Sequence, residues 1–425
     1  MSSRTTPRTA RPGRTPTPTP TAADGGRLRR WQASWRPGAW NGDATGLTVV
    51  TVVLLLVGLV MSYSASIVDA AEAGDPFGVF RRQFVWAAIG VPAFVLVANL
   101  DHRIWRRLAW PLLIGALVGL VLVLVPGVGV TRFGSTRWLG FGPLVVQPSE
   151  IAKLACLVWI ADVLERKRPK DGALQTPSHL TVPAIPLLLL LAALVLAQPD
   201  LGTTILIGLI VGAVLWVEGL PGRYVGVAAV LALGAVAALA VVAPYRLRRV
   251  TGWLDPEADP LGTGYQLMQA LFALGEGGLF GVGLGSSRAK WNFVPNPETD
   301  FIFAIIGEEL GLLGATFVLC LFGAVLFLGL RVAYAAEEGF GRTVAFGITA
   351  LVVGQALINV GTVTGLLPIT GVTLPLVSVG GSSLVSTLVA LGLLVSIARA
   401  TPPPVSRLRA GRAIPRLVHR AGDDT

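Results

Sequence analysis

The feature that most constrains this sequence is a series of apolar runs, each about 17 to 25 residues long. A helix of that length crosses the hydrocarbon core of a bilayer, where no water is present to satisfy an unpaired backbone group. The composition agrees, because 53% of the residues are hydrophobic and only 14% are charged. We therefore predict an all-α polytopic membrane protein. The alternating strand patterns of an outer-membrane barrel are absent from the sequence.

The apolar runs predict about ten transmembrane helices. In chain order they cover Leu47–Tyr63, Phe84–Leu100, Trp110–Val125, Pro148–Leu164, Pro183–Ala197, Thr203–Val217, Tyr224–Ala243, Phe301–Leu330, Thr343–Thr364 and Ser383–Ala398. Lys and Arg are enriched in the loops on the same side as the N-terminus, which is the pattern of cytoplasmic loops. We therefore expect both termini in the cytoplasm and one long extracytoplasmic loop, about residues 244–300, between helices 7 and 8.

The sequence divides into three parts. Residues 1–45 are predicted to form a disordered cytoplasmic tail, residues 46–399 the membrane domain, and residues 400–425 a basic cytoplasmic tail. Most of the net charge of +10 lies in these tails and in short loops, so it indicates topology and not nucleic-acid binding. The two cysteines lie in apolar runs, which predicts no disulfide framework. The three histidines fall on the predicted cytoplasmic side, so chemistry on the other face must run without imidazole.

An acidic side chain begins the eighth predicted helix. At about 100° per residue, Asp300 shares a helix face with Ala304, Gly307 and Gly311. Small residues mark the side on which another helix approaches closely, so Asp300 is predicted to point into the bundle. The alternative is a capping role at the helix start, with Thr299 as N-cap and Asp300 favoured by the helix dipole.

Two more acids, Glu308 and Glu309, follow in the same predicted helix. An ionisable group inside a membrane costs about 3 kcal/mol, so such residues usually face a cavity or a partner. Glu309 lies opposite Asp300 on the helical wheel, which excludes one simple carboxylate pair. We expect both glutamates to play a supporting role.

The long outer loop contains a run of glycines at positions 277, 278, 281, 283 and 285. Such glycines let a backbone bend tightly, approach a ligand, or offer N–H groups to phosphate oxygens. A tight re-entrant turn without a ligand explains the run equally well. Cations also remain on this disfavoured side, at Arg132, Arg137, Arg246, Arg248, Arg249, Arg288 and Lys290. They predict an anionic ligand there, and snorkelling of side chains at helix ends is the alternative.

Two polar stretches reach the same predicted face at the starts of helices. Gln147-Pro148-Ser149-Glu150 opens the fourth predicted helix, and Lys153 follows at i+3 from Glu150, within pairing distance. Gln198-Pro199-Asp200-Leu201-Gly202 joins the fifth and sixth predicted helices. Asp200 either caps the sixth helix or serves as a second acid of one pocket.

The last outer segment carries Ser378, Ser382 and Ser383. Two prolines and a Gly-Gly pair preclude one continuous helix there, so its backbone must line protein or water. Gln355 and Asn359, at i and i+4 in the ninth predicted helix, are expected to form hydrogen bonds between helices.

Taken together, these stretches resemble the motifs of the SEDS family (shape, elongation, division and sporulation). The resemblance is carried by Pro297–Gly311, by Arg137-Trp138, by the Gln-Pro-Ser-Glu and Gln-Pro-Asp-Leu-Gly stretches, and by Pro375–Ser383. Ala289–Pro295 is similar to the division-type members. Two positions depart from the family pattern, since Glu298 stands where many members have His and Val379 stands where the motif has an aromatic residue.

The resemblance implies a peptidoglycan glycosyltransferase that polymerises lipid II into β-1,4 glycan strands at the outer face of the cytoplasmic membrane, with release of undecaprenyl pyrophosphate. In that role Asp300 is the catalytic base of an inverting transfer. The predicted substrate-binding residues are Arg137, Glu150, Lys153, Asp200, Lys290, Thr299, Ser378, Ser382 and Ser383, and the predicted supporting residues are Gln147, Glu308 and Glu309. Among these, Arg137, Lys153 and Lys290 are expected to hold the pyrophosphate.

The resemblance also implies partners, namely a class B penicillin-binding transpeptidase and other membrane proteins of the divisome at the septum. No residue cluster in the sequence defines a metal site, and a divalent cation (Mg²⁺ or Mn²⁺) remains open as a cofactor. Two other functions stay compatible with the residues. A lipid II flippase or other transporter also explains acids at membrane depth, and a non-enzymatic division scaffold would recruit partners through its tails.

Overall fold

The apolar runs form helices, as the sequence predicts. The computed structural model describes residues 38–72, 74–132, 134–141, 144–168, 177–242, 244–260, 262–288, 290 and 298–401. Its helices are α1 (Gly42–Glu72), α2 (Gly78–Asn99), α3 (Ile104–Leu124), α4 (Pro148–Lys167), α5 (Pro177–Leu196), α6 (Leu201–Val217), α7 (Gly222–Val242), α8 (Pro244–Leu254), α9 (Tyr265–Glu276), α10 (Ile302–Ala335), α11 (Gly339–Val363) and α12 (Gly381–Ala400). Most of the predicted N-terminal tail and nearly all of the C-terminal tail lie outside the described residues.

Seven of the described helices are long and apolar enough to cross a membrane, namely α1, α2, α3, α5, α10, α11 and α12. The predicted fourth, sixth and seventh spans correspond to α4, α6 and α7. Of these, α4 carries buried charges such as Lys153 and Asp162, and α6 is a shorter apolar helix. The chain is therefore a multi-pass membrane protein. The number of ten spans, the side of each terminus and the side of the long loop stay predictions.

The centre of the bundle is built on α11 and α12, which bury a larger share of their length than the other spanning helices. The helix α12 packs along α2, and α11 packs against α10 and α6. Between α3 and α4 the chain forms a small antiparallel sheet with the order β1 (Gly129–Arg132), β2 (Ser135–Phe141) and β3 (Leu144–Val146). This sheet was not predicted, and it places β2 beside the start of α4.

The predicted continuous helix from Phe301 to Leu330 is wrong in one respect, because α10 breaks at Gly311. This residue has φ of 68° and ψ of −168°, a conformation that glycine adopts without steric cost. The preceding part of α10 is buried on all sides from Ile302 to Glu309, whereas the part after the break has lipid-type exposed residues such as Leu312 and Phe317. Asp300 precedes the helix in a turn, so the shared helix face with Gly311 does not exist.

The glycine run of the long loop supplies hydrogen-bond partners for the backbone groups around the break in α10. The N–H groups of Leu312 and Leu313 donate to the carbonyls of Gly278 and Leu279, at N···O distances of 2.9 and 3.2 Å. In the reverse direction, the N–H groups of Val282 and Gly283 donate to the carbonyls of Glu308 and Glu309, at 2.9 and 3.1 Å. We call this set of contacts, Gly278–Gly283 against Glu308–Leu313, the glycine interlock.

The glycine interlock requires contact between backbones that a side chain would prevent. A Cβ atom on Gly281 would lie 2.1 Å from the carbonyl oxygen of Glu309. The N–H groups of Val282 and Gly283 are used by α10, so they are not directed at phosphate oxygens. Of the two interpretations of the glycine run, the structure therefore supports the re-entrant turn.

Candidate active site

The helix ends near the start of α4 surround a cavity of about 570 Å³. Its walls come from α2, the sheet, the starts of α4 and α6, the turn before α10, and the segment between α11 and α12. Nine of the predicted site residues line it, namely Arg137, Gln147, Glu150, Lys153, Asp200, Thr299, Asp300, Ser382 and Ser383. Segments far apart in the sequence thus converge on one polar space, which is the arrangement expected of an active site.

Asp300 lies in the turn that leads into α10. The first residue of the helix is Ile302 and the capping position is Phe301, so neither Thr299 nor Asp300 serves as the N-cap. The Asp300 side chain is half-buried and lines the cavity. Its carboxylate has no hydrogen-bond or ion-pair partner among the residues that the structure describes. Gly371 lies beside it, since a Cβ atom there would be 3.6 Å from Asp300 Oδ2.

Burial raises the pKa of Asp300 to about 6, and the nearby Asp200 acts in the same direction. The cations Arg249 and Arg137 oppose this effect. A carboxylate with a pKa in this range is ionised at neutral pH but still basic enough to accept a proton from a reacting group.

Asp200 both caps a helix and lines the cavity, so the two sequence interpretations are compatible. Its Oδ1 accepts the N–H of Thr203 at 3.1 Å, which makes it the N-cap of α6, and its Oδ2 accepts the amide of Gln147 at 3.2 Å. Arg137 Nη1 lies 3.7 Å from Asp200 Oδ1. The Arg137 guanidinium also donates to the carbonyls of Gln198 and Pro199, so the loop before α6 fixes its position.

Glu150 and Lys153 form a buried ion pair in the cavity wall, with 2.9 Å between Oε1 and Nζ. Lys153 also donates to Gln355 Oε1 at 2.9 Å, and Gln355 donates to the carbonyl of Thr373 at 3.0 Å. The ammonium group is therefore largely neutralised by its neighbour. This confirms the predicted interhelical bond of Gln355, and it makes Lys153 a less available phosphate ligand than the sequence indicates.

Three predicted site residues, Lys290, Glu308 and Glu309, lie outside the cavity, and they do so for one common reason. Lys290 Nζ lies 3.3 Å from Glu309 Oε1 and donates to the carbonyl of Gly285. Glu309 also accepts the hydroxyl of Ser64, and Glu308 accepts the hydroxyl of Ser287. Because the glycine interlock folds the loop back onto α10, Lys290 and both glutamates form a buried polar cluster away from Asp300.

Ser378 also lies outside the cavity. Its hydroxyl is buried between the N–H of Leu374 and the carbonyl of Thr299. Ser382 and Ser383 do line the cavity at the start of α12, where Ser382 Oγ accepts the N–H of Gln147 at 3.2 Å. The last outer segment is non-helical before Gly381, as its prolines and glycines predict.

Several cavity residues were not selected from the sequence as site residues. They are Arg82, Gln83 and Trp86 of α2, Arg249 of α8, Gln266 of α9, and Gln355 of α11. Arg249 belonged to the group of cations on the disfavoured side, which was the only available signal. For Arg82 and Trp86 no signal distinguished them from residues at any membrane boundary. Among the described residues, no group of three or more His, Cys, Asp or Glu side chains could hold a metal ion.

The fold and the cavity define a class of protein, a multi-pass membrane protein with a charged cavity at one end of its helices and an unpaired carboxylate inside it. The family model described as cell cycle protein, FTSW_RODA_SPOVE, matches residues 45–402. The chain belongs to this family, which confirms the resemblance of its motifs.

Individual relatives agree with this assignment. The chain is 42% identical to stage V sporulation protein E of Bacillus subtilis, over 83% of this chain and 96% of the relative. It is also 42% identical to the probable peptidoglycan glycosyltransferase FtsW of Mycobacterium tuberculosis, over 89% of this chain and 72% of the relative. Among solved structures, it is similar to a chain described under "Structural coordination of polymerization and crosslinking by a peptidoglycan synthase complex". There the TM-score is 0.69 and the identity 34%, covering 85% of this chain and 99% of the other.

Proposed function

We propose that this protein is a peptidoglycan glycosyltransferase that polymerises lipid II at the outer face of the cytoplasmic membrane. The activity rests on relatives of about 40% identity that are named for it and cover most of the chain. The observation that carries the proposal is the position of Asp300. Its carboxylate lines a polar cavity without a described partner, and the cavity contains both signs of charge.

The chemistry is one direct displacement. The 4-hydroxyl oxygen of the terminal GlcNAc of one lipid II attacks the anomeric carbon of MurNAc in the donor chain. The new C–O bond forms as the bond to undecaprenyl pyrophosphate breaks, and the hydroxyl proton passes to Asp300. An α-linked donor then gives a β-1,4 linkage, so the configuration inverts and no covalent enzyme intermediate is needed. A positioned carboxylate base typically contributes roughly 10²–10⁴-fold to such a step.

The leaving pyrophosphate gains negative charge as the bond breaks, so cations near Asp300 would stabilise the transition state. Arg137 and Arg249 are the candidates, because both lie close enough to affect the pKa of Asp300. Arg249 is exposed, and its one hydrogen bond among the described residues goes to the carbonyl of Ile369, at 3.5 Å. It takes the role that the sequence assigned to Lys290.

The direct test is polymerisation of fluorescent lipid II by the purified full chain and its Asp300→Asn variant. We expect the variant to fold and to lose at least roughly 10²-fold in rate, because the amide cannot accept the proton. Asp259→Asn is the matched control, since Asp259 is an exposed acid in a turn between α8 and α9. Turnover of Asp300→Asn near the wild-type rate would remove Asp300 from the mechanism.

Further assays on the same purified protein and variant distinguish the enzyme from the two other functions, a transporter and a scaffold. If the protein is a transporter, the Asp300→Asn variant should still move labelled lipid II across vesicle membranes, although its polymerisation is blocked. A scaffold would lose function on removal of the tails and keep it when Asp300 is replaced. Polymerisation that depends on Asp300, without such movement, supports the enzyme.

The proposal includes a transpeptidase partner and a role in division. The solved structure similar to this chain concerns a synthase complex that coordinates polymerization and crosslinking, which supports a class B penicillin-binding protein as partner. The similarity of residues 289–295 to the sequences of division-type members supports a septal location and contact with other divisome membrane proteins. Those residues, except for Lys290, lie outside the described part of the chain.

A further inference from the structure

Three consecutive backbone carbonyls lead up to the Asp300 side chain, and each one accepts a hydrogen bond. The N–H of Val379 donates to the carbonyl of Glu298 at 2.8 Å. The hydroxyl of Ser378 donates to the carbonyl of Thr299 at 2.6 Å. The amide of Asn359 donates to the carbonyl of Asp300 at 2.8 Å. We call this arrangement the carbonyl clamp.

The donors of the carbonyl clamp are themselves held in place. Asn359 is buried in α11 and also donates to the carbonyl of Val372 at 2.7 Å. Ser378 is buried and accepts the N–H of Leu374 at 2.8 Å. Gln83 of α2 brackets Ser378, because its amide donates to the Ser378 carbonyl at 3.2 Å and accepts the N–H of Gly380 at 3.3 Å. The turn that carries Asp300 is thus fixed to α11 and to the last outer segment, which α2 in turn holds in place.

The clamp matters because it fixes the backbone from which the Asp300 carboxylate extends. No described side chain bonds to the Asp300 carboxylate, so its location is set by its backbone and by two side-chain torsions. A base held through its carbonyls keeps all its carboxylate lone pairs available for the incoming proton. A donor placed directly on the carboxylate would instead stabilise the charged form and weaken the base.

We propose that Ser378 and Asn359 are positioning residues for the Asp300 base, acting through the backbone of residues 299 and 300. This inference rests on the proposed function, since it assumes that Asp300 takes the proton. It also explains why Ser378 lies in a family-like motif without lining the cavity. A displacement of about 1 Å at a reacting group can cost on the order of 10²-fold in rate, so loss of a clamp donor should be visible in turnover.

The test compares Ser378→Ala, which removes the donor, with Ser378→Thr, which keeps a hydroxyl. Ser396→Ala is the matched control, because Ser396 is a buried serine of α12 that also donates to one backbone carbonyl, that of Leu100. Asn359→Ala is a second clamp variant. Its control is Thr362→Ala on the same helix, where the hydroxyl donates to the carbonyls of Ile358 and Pro368. For each purified full-length variant, kcat and KM for lipid II polymerisation and the melting temperature are measured.

We expect Ser378→Ala and Asn359→Ala to lower kcat on the order of 10- to 100-fold while KM changes by less than about 3-fold. Ser378→Thr should recover most of the lost kcat, and both controls should stay near the wild-type rate. The inference is overturned if Ser378→Ala keeps the wild-type kcat, or if its loss equals that of Ser396→Ala at equal melting temperature. If Asp300→Asn remains active, the proposed function fails instead, whatever the clamp variants do.

Discussion

The two ends of the helix bundle both hold acids with little exposure, but at the cavity end the Asp300 carboxylate has no hydrogen-bond or ion-pair partner among the residues that the structure describes. At the end opposite the cavity, Asp162 is fully buried and accepts from Arg106 at 3.1 Å and from Arg166 at 2.7 Å. Glu218 there accepts from Arg168 at 2.6 Å. At the cavity end, Asp300 has no such cation within bonding distance among the described residues.

This difference separates structural charges from the proposed chemical one. A buried acid that is fully paired contributes to helix packing, and removing one partner leaves a costly uncompensated charge. An acid left unpaired in a cavity destabilises the fold, so its presence there indicates another use, and such sites are typical of catalysis. Glu308 and Glu309 fall in the first group although they share a helix with the Asp300 turn.

The largest effect should come from the buried ion pair in the cavity wall, Glu150 with Lys153. Replacing Lys153 by Met leaves Glu150 buried without a cation, which should lower the stability by roughly 3–5 kcal/mol. The measurement is unfolding of the purified protein in detergent. Adding Glu150→Gln should restore part of the lost stability, since the uncompensated charge is then gone. A double variant as unstable as Lys153→Met would contradict this explanation, because the loss of stability would then not come from an uncompensated charge, as it is expected to at the opposite end.

Replacing Asp162 should affect stability and leave the chemistry intact. Asp162→Asn weakens two hydrogen bonds to guanidinium groups, which should cost about 1.5–3 kcal/mol in unfolding free energy. The rate of polymerisation per folded molecule should remain that of the wild type. Asp300→Asn should show the reverse, with no loss of melting temperature, because it removes the charge whose burial raises the pKa of Asp300. Equal loss of specific activity in both variants would erase the distinction between the two ends.

The rate should fall on acidification with a midpoint near the Asp300 pKa of about 6, because the protonated carboxyl cannot act as a base. Arg249 holds the pKa of Asp300 down, so Arg249→Gln should move this midpoint to higher pH. The measurement is kcat/KM between pH 5 and 8, with Arg248→Gln, an exposed neighbour on α8, as control. A midpoint unchanged in Arg249→Gln would place Arg249 too far from Asp300 for the role proposed above.

The smallest effect is expected for a half-exposed acid of the opposite end. His102 and Arg103 hold the pKa of Glu338 down at about 2, below its ordinary value of 4.5. A lowered pKa means that the stabilisation is fully present above pH 4.5 and is lost as the pH falls toward 2. Because the side chain is half-exposed and its ion pair is screened by solvent, Glu338→Gln should cost less than about 1 kcal/mol at pH 7. The difference in melting temperature from the wild type should shrink below pH 4.5, and a constant difference would contradict the assignment.

Much of the fold was predictable from the sequence because the solvent of a membrane protein is so restrictive. Apolar runs placed the helices, and Pro148 and the Gln-Pro-Asp-Leu-Gly turn marked two helix starts that the structure has at the same places. The convergence of Arg137, Asp200 and Glu150 with Asp300 followed from motifs that all reached one predicted face. The roles of these residues in catalysis stay predictions.

Other features could not be read from local patterns. The break at Gly311 depends on hydrogen bonds to Gly278 and Leu279, more than thirty residues earlier in the chain. A helical wheel assumes that each N–H finds its partner four residues back, so it continued the helix and misplaced Asp300 on its face. The position of Lys290 outside the cavity could not be predicted for the same reason, since its pairing with Glu309 exists only once the loop folds back.

The sequence by itself determined that this chain is a helical membrane protein of one family and that its acids and cations cluster in a few polar stretches. Only the tertiary structure decided which of those charges neutralise one another and which carboxylate remains unpaired in the cavity. Hydrophobic periodicity reports how a segment meets lipid, which is a local property. Ion pairing and backbone hydrogen bonding join segments distant in the chain, and their outcome depends on distances that the order of residues does not contain.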